Sequence, residues 1–293
     1  MQNLTGIALM IAAMVGFAVT DTFVKFAALT LPVGQILFML GLGGGIAFAV
    51  LTRVQGHAIF ARDFYAKGVL LRNASEILGT VCFVTALSKI ELSIASAIIQ
   101  ATPLAVTMGA ALFLRETVGW RRWSAILVGF AGVFIILRPA STAFDPNTLW
   151  AVGGMLALSV RDLATRMIPP SMPTARAAGY GMSMLVPAGL TLMALGQTPQ
   201  AMNAANSTYI AAAILLGVSG YYAITSAMRI GDIAVVAPFR YSRIIFALLI
   251  GVFVLGETID VWTILGAAIT IAAGLYTFLR ERRLARAAAR DPL

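Results

Sequence analysis

Arg240 and Arg243 stand three positions apart inside an apolar run that holds no acid to neutralise them. Spaced in that way on a helix, two guanidinium groups share one face, where they suit a carboxylate or another polar acceptor. In an apolar medium they must find one: Asp21, Glu76, Asp162, or an anionic part of a bound solute. The other ionisable residues within apolar runs are Lys25, Arg72 and Arg161. Asp21 with Lys25, and Arg72 with Glu76, are four apart, the spacing at which opposite charges neutralise each other along a helix. The three acids could instead carry protons. Arg72 lies one turn inside its run, close enough to the boundary to extend its head group into water. Phe239, Tyr241, Tyr221 and Tyr222 could stack a flat ring or simply pack. Gln100 and Thr102 flank the bend expected at Pro103, where they could serve a solute or rejoin backbone groups freed by the proline. Glu116 and Glu257 fall at helix ends and read as structural caps.

Catalysis has little to build on. The chain has one histidine, His57, and one cysteine, Cys82, so no His/Cys metal cluster, disulfide or paired nucleophile is expected, and no cofactor. A GxxxxGK[ST] nucleotide loop is absent, so any work of movement should draw on a gradient or on exchange.

The elements that position these residues follow from composition. With 60% hydrophobic and 11% charged residues and a mean hydropathy of +0.90, the chain has too little polar surface to cover a soluble globule, so the lipid bilayer is its expected surroundings. Its net charge of +9 is dispersed between apolar runs and in the tail, which argues against a nucleic-acid partner. Ten apolar segments of membrane-spanning length are expected at 4–28, 32–52, 68–88, 92–114, 122–138, 148–168, 174–196, 208–228, 232–255 and 260–280. Pro32 and Pro173 open turns, Pro169 and Pro170 stop a helix, and Asn203, Asn206, Ser207 and Thr208 form a polar break. With a cytoplasmic N-terminus the inner loops collect most of the arginines and lysines, and the outer loops keep only Lys89 and Arg138. Both termini are therefore expected inside.

The chain also repeats itself. Met14, Val19, Asp21 and Lys25 recur 141 positions later as Met155, Val160, Asp162 and Arg166, and Leu114, Glu116 and Thr117 recur as Leu255, Glu257 and Thr258. Ten spans in two equal units make five per unit, and an odd count forces the second unit to enter the membrane from the opposite side. The expected fold is all-α, with ten transmembrane helices in two inverted repeats, 1–143 and 144–281, and a basic tail at 282–293. Such an arrangement implies a site between the repeats and alternating access to it.

These features resemble the drug/metabolite transporter superfamily, specifically its EamA-type members. The resemblance rests on ten spans in 293 residues, two five-helix halves, Leu114-Arg115-Glu116-Thr117 and Leu255-Gly256-Glu257-Thr258 closing the fourth span of each half, and Pro103 thirteen residues before Glu116. Ile244 replaces the proline usual in the second half, and Pro238 comes earlier. The run from Ala237 to Arg243 is similar to riboflavin-transporter-like members. The resemblance implies a secondary carrier of a small organic solute in the inner membrane, riboflavin or a similar vitamin first, with an amino-acid or anionic-metabolite exporter as alternative. Monomer or homodimer, and import or export, stay open, and a lipid scramblase or membrane-embedded enzyme is the reading from another class. Gly41 and Gly45 are expected to serve helix packing.

Overall fold

The computed structural model describes residues 2–116, 118–139, 141–169, 171–230 and 233–288. Thr117, Pro170 and Arg290 lie outside them. Among the described residues, thirteen α-helices lie along the expected apolar segments: α1 (Gln2–Ala28), α2 (Val33–Val54), α3 (Lys67–Lys89), α4 (Leu92–Ile99), α5 (Thr102–Phe113), α6 (Trp120–Leu137), α7 (Thr148–Thr165), α8 (Thr174–Ser183), α9 (Leu185–Ala194), α10 (Ala204–Ile230), α11 (Ile233–Val236), α12 (Ser242–Phe253) and α13 (Val261–Ala288). Short 3-10 turns cover Arg62–Tyr65 and Ala237–Tyr241. No strand occurs among the described residues, and eight helical stretches are long and apolar enough to cross a membrane.

Three segments are broken rods, each next to a proline. Pro103 has no N–H for the Ile99 carbonyl, and the Thr102 hydroxyl donates to that oxygen at 2.6 Å instead. Pro238 lies within the 3-10 turn that joins α11 to α12. Pro187 likewise leaves the Ser183 carbonyl without its helical donor, so the seventh segment divides at Met184, a break not expected from the sequence. Two expected boundaries need correction. The eighth helix starts at Ala204 rather than 208, because the Asn203 side chain accepts from the Asn206 N–H at 2.8 Å and caps it. The last helix runs through Ala288, so most of the expected tail extends it.

Helices pack mainly across the two halves of the sequence: α1 on α10, α3 on α7, α2 on α8 and α9, α6 on α13, and α4 on α12. The contacts themselves are copied. Gly79 of α3 lies against Leu158 of α7, and 141 residues later Gly220 of α10 lies against Phe17 of α1. Both Leu-X-Glu turns use a left-handed residue at the same place, Arg115 (φ 56°) and Gly256 (φ 68°). After it the amide of Glu116 bonds the Ala110 carbonyl at 3.2 Å, as that of Glu257 bonds Gly251 at 2.8 Å. Gly41 and Gly45 pack α2 against Leu185, Val186 and Ser183, as small residues should.

Backbones approach closely between α6 and α13, where a Cβ on Gly132 would meet the Gly266 carbonyl at 2.6 Å and the Thr270 amide at 3.0 Å. Backbone cannot yield there, so Gly132→Ala should destabilise the detergent-solubilised protein by about 1–3 kcal/mol, read as a lower melting temperature. Gly153→Ala, whose Cβ would make only an ordinary 3.4 Å contact with Cys82, should be neutral or slightly stabilising.

At the same end of the bundle Asp260 caps α13 and pairs with Arg138. Burial alone would raise its carboxyl, but the bonds from Thr263, Arg138 and Trp262 outweigh that and hold it below the ordinary range. A depressed carboxyl stabilises the fold above its unfolded value, and that contribution disappears as pH falls through the folded one. Asp260→Asn should therefore melt earlier than the parent near neutrality, with the gap closing only in acid below the usual carboxylate range.

Candidate functional site

Arg243, in the first turn of α12, donates from Nη2 to Oδ2 of Asp21 on α1 at 2.5 Å. Its guanidinium also lies over the rings of Phe17 (5.5 Å) on α1 and Phe83 (5.8 Å) on α3. Asp21 is only 6% exposed, and Arg243 Nε is buried with no protein partner. Three helices from both halves thus meet at one ion pair held between aromatic faces. The geometry offers a donor fork, an acceptor and two stacking surfaces.

A second charged group lies along α3. Glu76 accepts from Arg161 Nη1 at 3.2 Å and sits 3.4 Å from Arg72, while Arg161 Nε donates to Asp162 at 3.0 Å. Arg72 donates to the Ala177 carbonyl of α8 at 3.0 Å. Its head group turns inward and stays buried, which corrects the expectation that it reaches the aqueous boundary. Phe83 and Glu76 are seven residues apart on α3, so the two groups are separated by about 10 Å along nearly one face.

Lys25 departs from the spacing argument. It donates not to Asp21 but to the carbonyls of Ile90 (2.6 Å) and Leu87 (3.3 Å), and lies 3.9 Å from Glu257. Glu257 in turn accepts from the amides of Leu92 (2.6 Å) and Ser93 (3.0 Å) and from the Ser93 hydroxyl (2.5 Å). It is the cap expected of it, but on a helix of the other half. Nearby, burial first and then the like charge of Glu257 push the Glu91 carboxyl up.

Other predicted residues divide. Gln100 is buried and donates to the Arg240 carbonyl at 3.3 Å, and Thr102 closes the proline break. Arg240 is half-buried across the joint between the 3-10 turn and α12, with no acid partner among the described residues. Tyr241 is turned against Gly274 of α13, and Phe239 packs with the Met10, Met14 and Val236 cluster, so neither ring joins Asp21 and Arg243. Tyr222 is 57% exposed and belongs to the outer surface; its neighbour Tyr221 lies within electrostatic reach of Arg72, Glu76, Arg161 and Asp162. Phe17 and Phe83 were missed, although Phe17 is one turn before Asp21 and Phe83 two turns after Glu76. No group of three or more metal-ligating side chains occurs among the described residues. A cavity of about 780 Å³ opens elsewhere, between α2, α8 and α9, where Arg176 sits 3.4 Å from Asp63.

The EamA-like transporter family model matches residues 4–138 and again 147–279. The chain belongs to the EamA-like transporter family. It is thus a multi-pass membrane protein of a transporter family, with the family's unit present twice. Among the EamA-like protein's relatives, a riboflavin transporter of Rhizobium johnstonii is 29% identical over 77% of this chain and 74% of its own length. An S-adenosylmethionine uptake transporter of Rickettsia prowazekii is 26% identical over 73% and 72%. A solved crystal structure shares the fold at a TM-score of 0.68, covering 95% of this chain and 98% of that one at 15% identity.

Removing one member of a buried pair strands the other charge, at a cost of about 3–5 kcal/mol. Arg243→Leu in this EamA-like chain should therefore lower the melting temperature strongly, and Arg243→Leu with Asp21→Asn should recover most of the loss. A double-mutant cycle on thermal unfolding measures the coupling.

Proposed function

We propose that this chain is a secondary-active, alternating-access carrier of ten spans in two inverted five-helix repeats, 1–143 and 144–281. Both termini are cytoplasmic and the chain lies in the inner membrane. Its cargo is a small organic solute with a flat heteroaromatic ring, riboflavin or a similar vitamin, taken up into the cell. The observation that carries this reading is the Asp21 and Arg243 pair set between Phe17 and Phe83, built from both halves. A ring edge that alternates carbonyl oxygens with an N–H, as the flavin edge does, can take the guanidinium donors and give its own hydrogen to the carboxylate. Inserted there, it replaces the ion pair without leaving either charge unmet. The Glu76, Arg161 and Asp162 group about 10 Å away along α3 is placed to meet the polar end of an elongated solute. The breaks between α4 and α5, a turn at Gln100 and Ala101, and between α11 and α12, a 3-10 stretch, divide two of the rods in the way that discontinuous helices of such carriers are divided.

S-Adenosylmethionine is the second reading. Its carboxylate suits Arg243 and its ammonium suits Asp21, and the acids Glu76 and Asp162 suit a sulfonium centre. The relative from Rickettsia prowazekii supports it. Counterflow into proteoliposomes loaded with unlabelled riboflavin or unlabelled S-adenosylmethionine separates the two. Labelled riboflavin should accumulate only against internal riboflavin, and Arg243→Lys should reduce the initial rate at least about tenfold, because a point charge replaces the planar fork. Accumulation of S-adenosylmethionine alone would transfer the assignment, and counterflow of neither would remove both.

A further inference from the structure

The cavity of about 780 Å³ lies apart from the charged centre, where α2 meets α8 and α9. Along α2 its wall runs from Gly41 to Thr52, about 16 Å of helix, past Leu42 and Ile46, which are exposed and open the cleft sideways to lipid. The opposite wall is the seventh segment at its break: Ser183, Met184 and Val186 line the cleft just before and beside the division at Met184. A length of about 16 Å is half of the roughly 30 Å hydrocarbon layer, the depth filled by the acyl chains of one leaflet.

The end of the cleft beside Thr52 is different in character. The segment between α2 and α3 crosses it, clipped to α8: the Ala61 amide donates to Tyr180 Oη at 3.0 Å, and Phe64 stands edge-on to the Tyr180 ring at 4.9 Å. Two guanidinium groups join the lining there, Arg62 from the 3-10 turn and Arg176 one turn before Tyr180. Arg176 Nη1 lies 3.4 Å from Asp63 Oδ2, while Arg176 Nε and Asp63 Oδ1 are buried with no hydrogen-bond partner among the described residues. The stretch 53–67 holds Arg53, Arg62 and Lys67 against Asp63, and Arg176 adds to that excess of positive charge. Tyr65, also in the lining, is exposed beside them, where a tyrosine at the level of lipid headgroups belongs.

We propose that this cleft holds one anionic phospholipid, a phosphatidylglycerol. One acyl chain lies along α2 between Leu42 and Thr52, the phosphate takes donors from Arg62 and Arg176, and a headgroup hydroxyl gives Asp63 the donor that its Oδ1 lacks. Bulk lipid covers apolar surface without discrimination, so selection falls to the guanidinium groups, which favour a phosphate with a net negative charge over one neutralised by its own headgroup. The walls fix where the chain leaves that headgroup. Arg62 and Arg176 come from different halves of the sequence, so the bound lipid ties α2 and the segment after it to α8. The site goes beyond the cargo reading and does not rest on it, since it shares no residue with the Asp21 and Arg243 pair or the Glu76 group.

Native mass spectrometry of the intact protein released from detergent, titrated with phosphatidylglycerol or with phosphatidylcholine of identical chains, tests this. Phosphatidylglycerol should bind at least about tenfold more tightly, and Arg62→Gln and Arg176→Gln should each weaken it about fivefold. Ala49→Trp, which fills the cleft and leaves the charges in place, should weaken it by a similar factor. Arg121→Gln, which removes an exposed cation on α6, should leave it unchanged. Arg62 is exposed, so its variant carries the headgroup test should Arg176→Gln fail to fold, and Leu42→Trp does the same for Ala49→Trp. Equal affinity for the two lipids, a loss on Arg121→Gln as large as on Arg62→Gln, or unaltered binding to the folded filled-cleft variants overturns the proposal. Displacement of the lipid by excess inorganic phosphate also overturns it, because the site would then be one for a soluble anion.

Discussion

A charge inside a bilayer must be met by another part of the chain, and in this protein the partner comes repeatedly from the other half. Among the described residues, these ion pairs join separate elements: Lys25 with Glu257, Arg138 with Asp260, Glu76 with Arg161, Glu116 with Arg166, Asp63 with Arg176, and Asp21 with Arg243. All of these link residues 1–143 to the remainder. The apolar packing follows the same plan, since the most extensive helix contacts also cross between halves. Two copies of the family's unit could have folded side by side, each with its own core. Interleaving them instead places the charges on one shared surface, where neither unit could satisfy them alone.

Sharing a surface makes the differences between the copies informative. Lys25 with Glu257 and Arg166 with Glu116 preserve the pair in both copies. The central group does not. Asp162 is the copy of Asp21, but the position matching Arg243 is Thr102, whose hydroxyl is used to close the proline break. Asp162 is met by its neighbour Arg161, whose own counterpart in the first half is Thr20. Glu76, which Arg161 also holds, has Gly217 as its counterpart, and Gly217 lies beside Thr20. The same contacts therefore exist in both copies, charged in one and neutral in the other. Duplication supplies the frame, and substitution within it supplies a charged group with no symmetric copy.

Periodicity and spacing made the frame legible. The apolar segments, the break at Pro103 and the packing role of Gly41 and Gly45 follow from local rules of helix formation, the 141-residue shift is read by matching residues, and the contacts at Gly79 and Gly220 repeat that shift. Partner choice was less legible, because it depends on which helices meet. Spacing offered Lys25 to Asp21, yet the free carbonyls at the end of α3 and a glutamate from the other half hold Lys25 instead. Tyr241 and Phe239 flank Arg240 in sequence, but the 3-10 turn carries them toward α13 and toward the methionine cluster. Tyr221 and Tyr222 show the limit plainly: adjacent residues on a helix point about 100° apart, and only the neighbour of α10 decides which one is enclosed.

These partnerships also bound what a cargo must supply. No ligand can change the balance of states except through a difference in its affinity for them. At the centre, a purely apolar molecule would separate Asp21 from Arg243 and leave both charges unmet, at a cost well above what stacking on two phenyl rings returns. A simple anion would satisfy Arg243 and displace the carboxylate, stranding Asp21 among the same rings. A solute with donor and acceptor on one edge would replace both partners at once, and its flat face would keep the contacts with Phe17 and Phe83. In the proposed site, selectivity would thus arise from the cost of failing to replace an ion pair rather than from the shape of an open cavity.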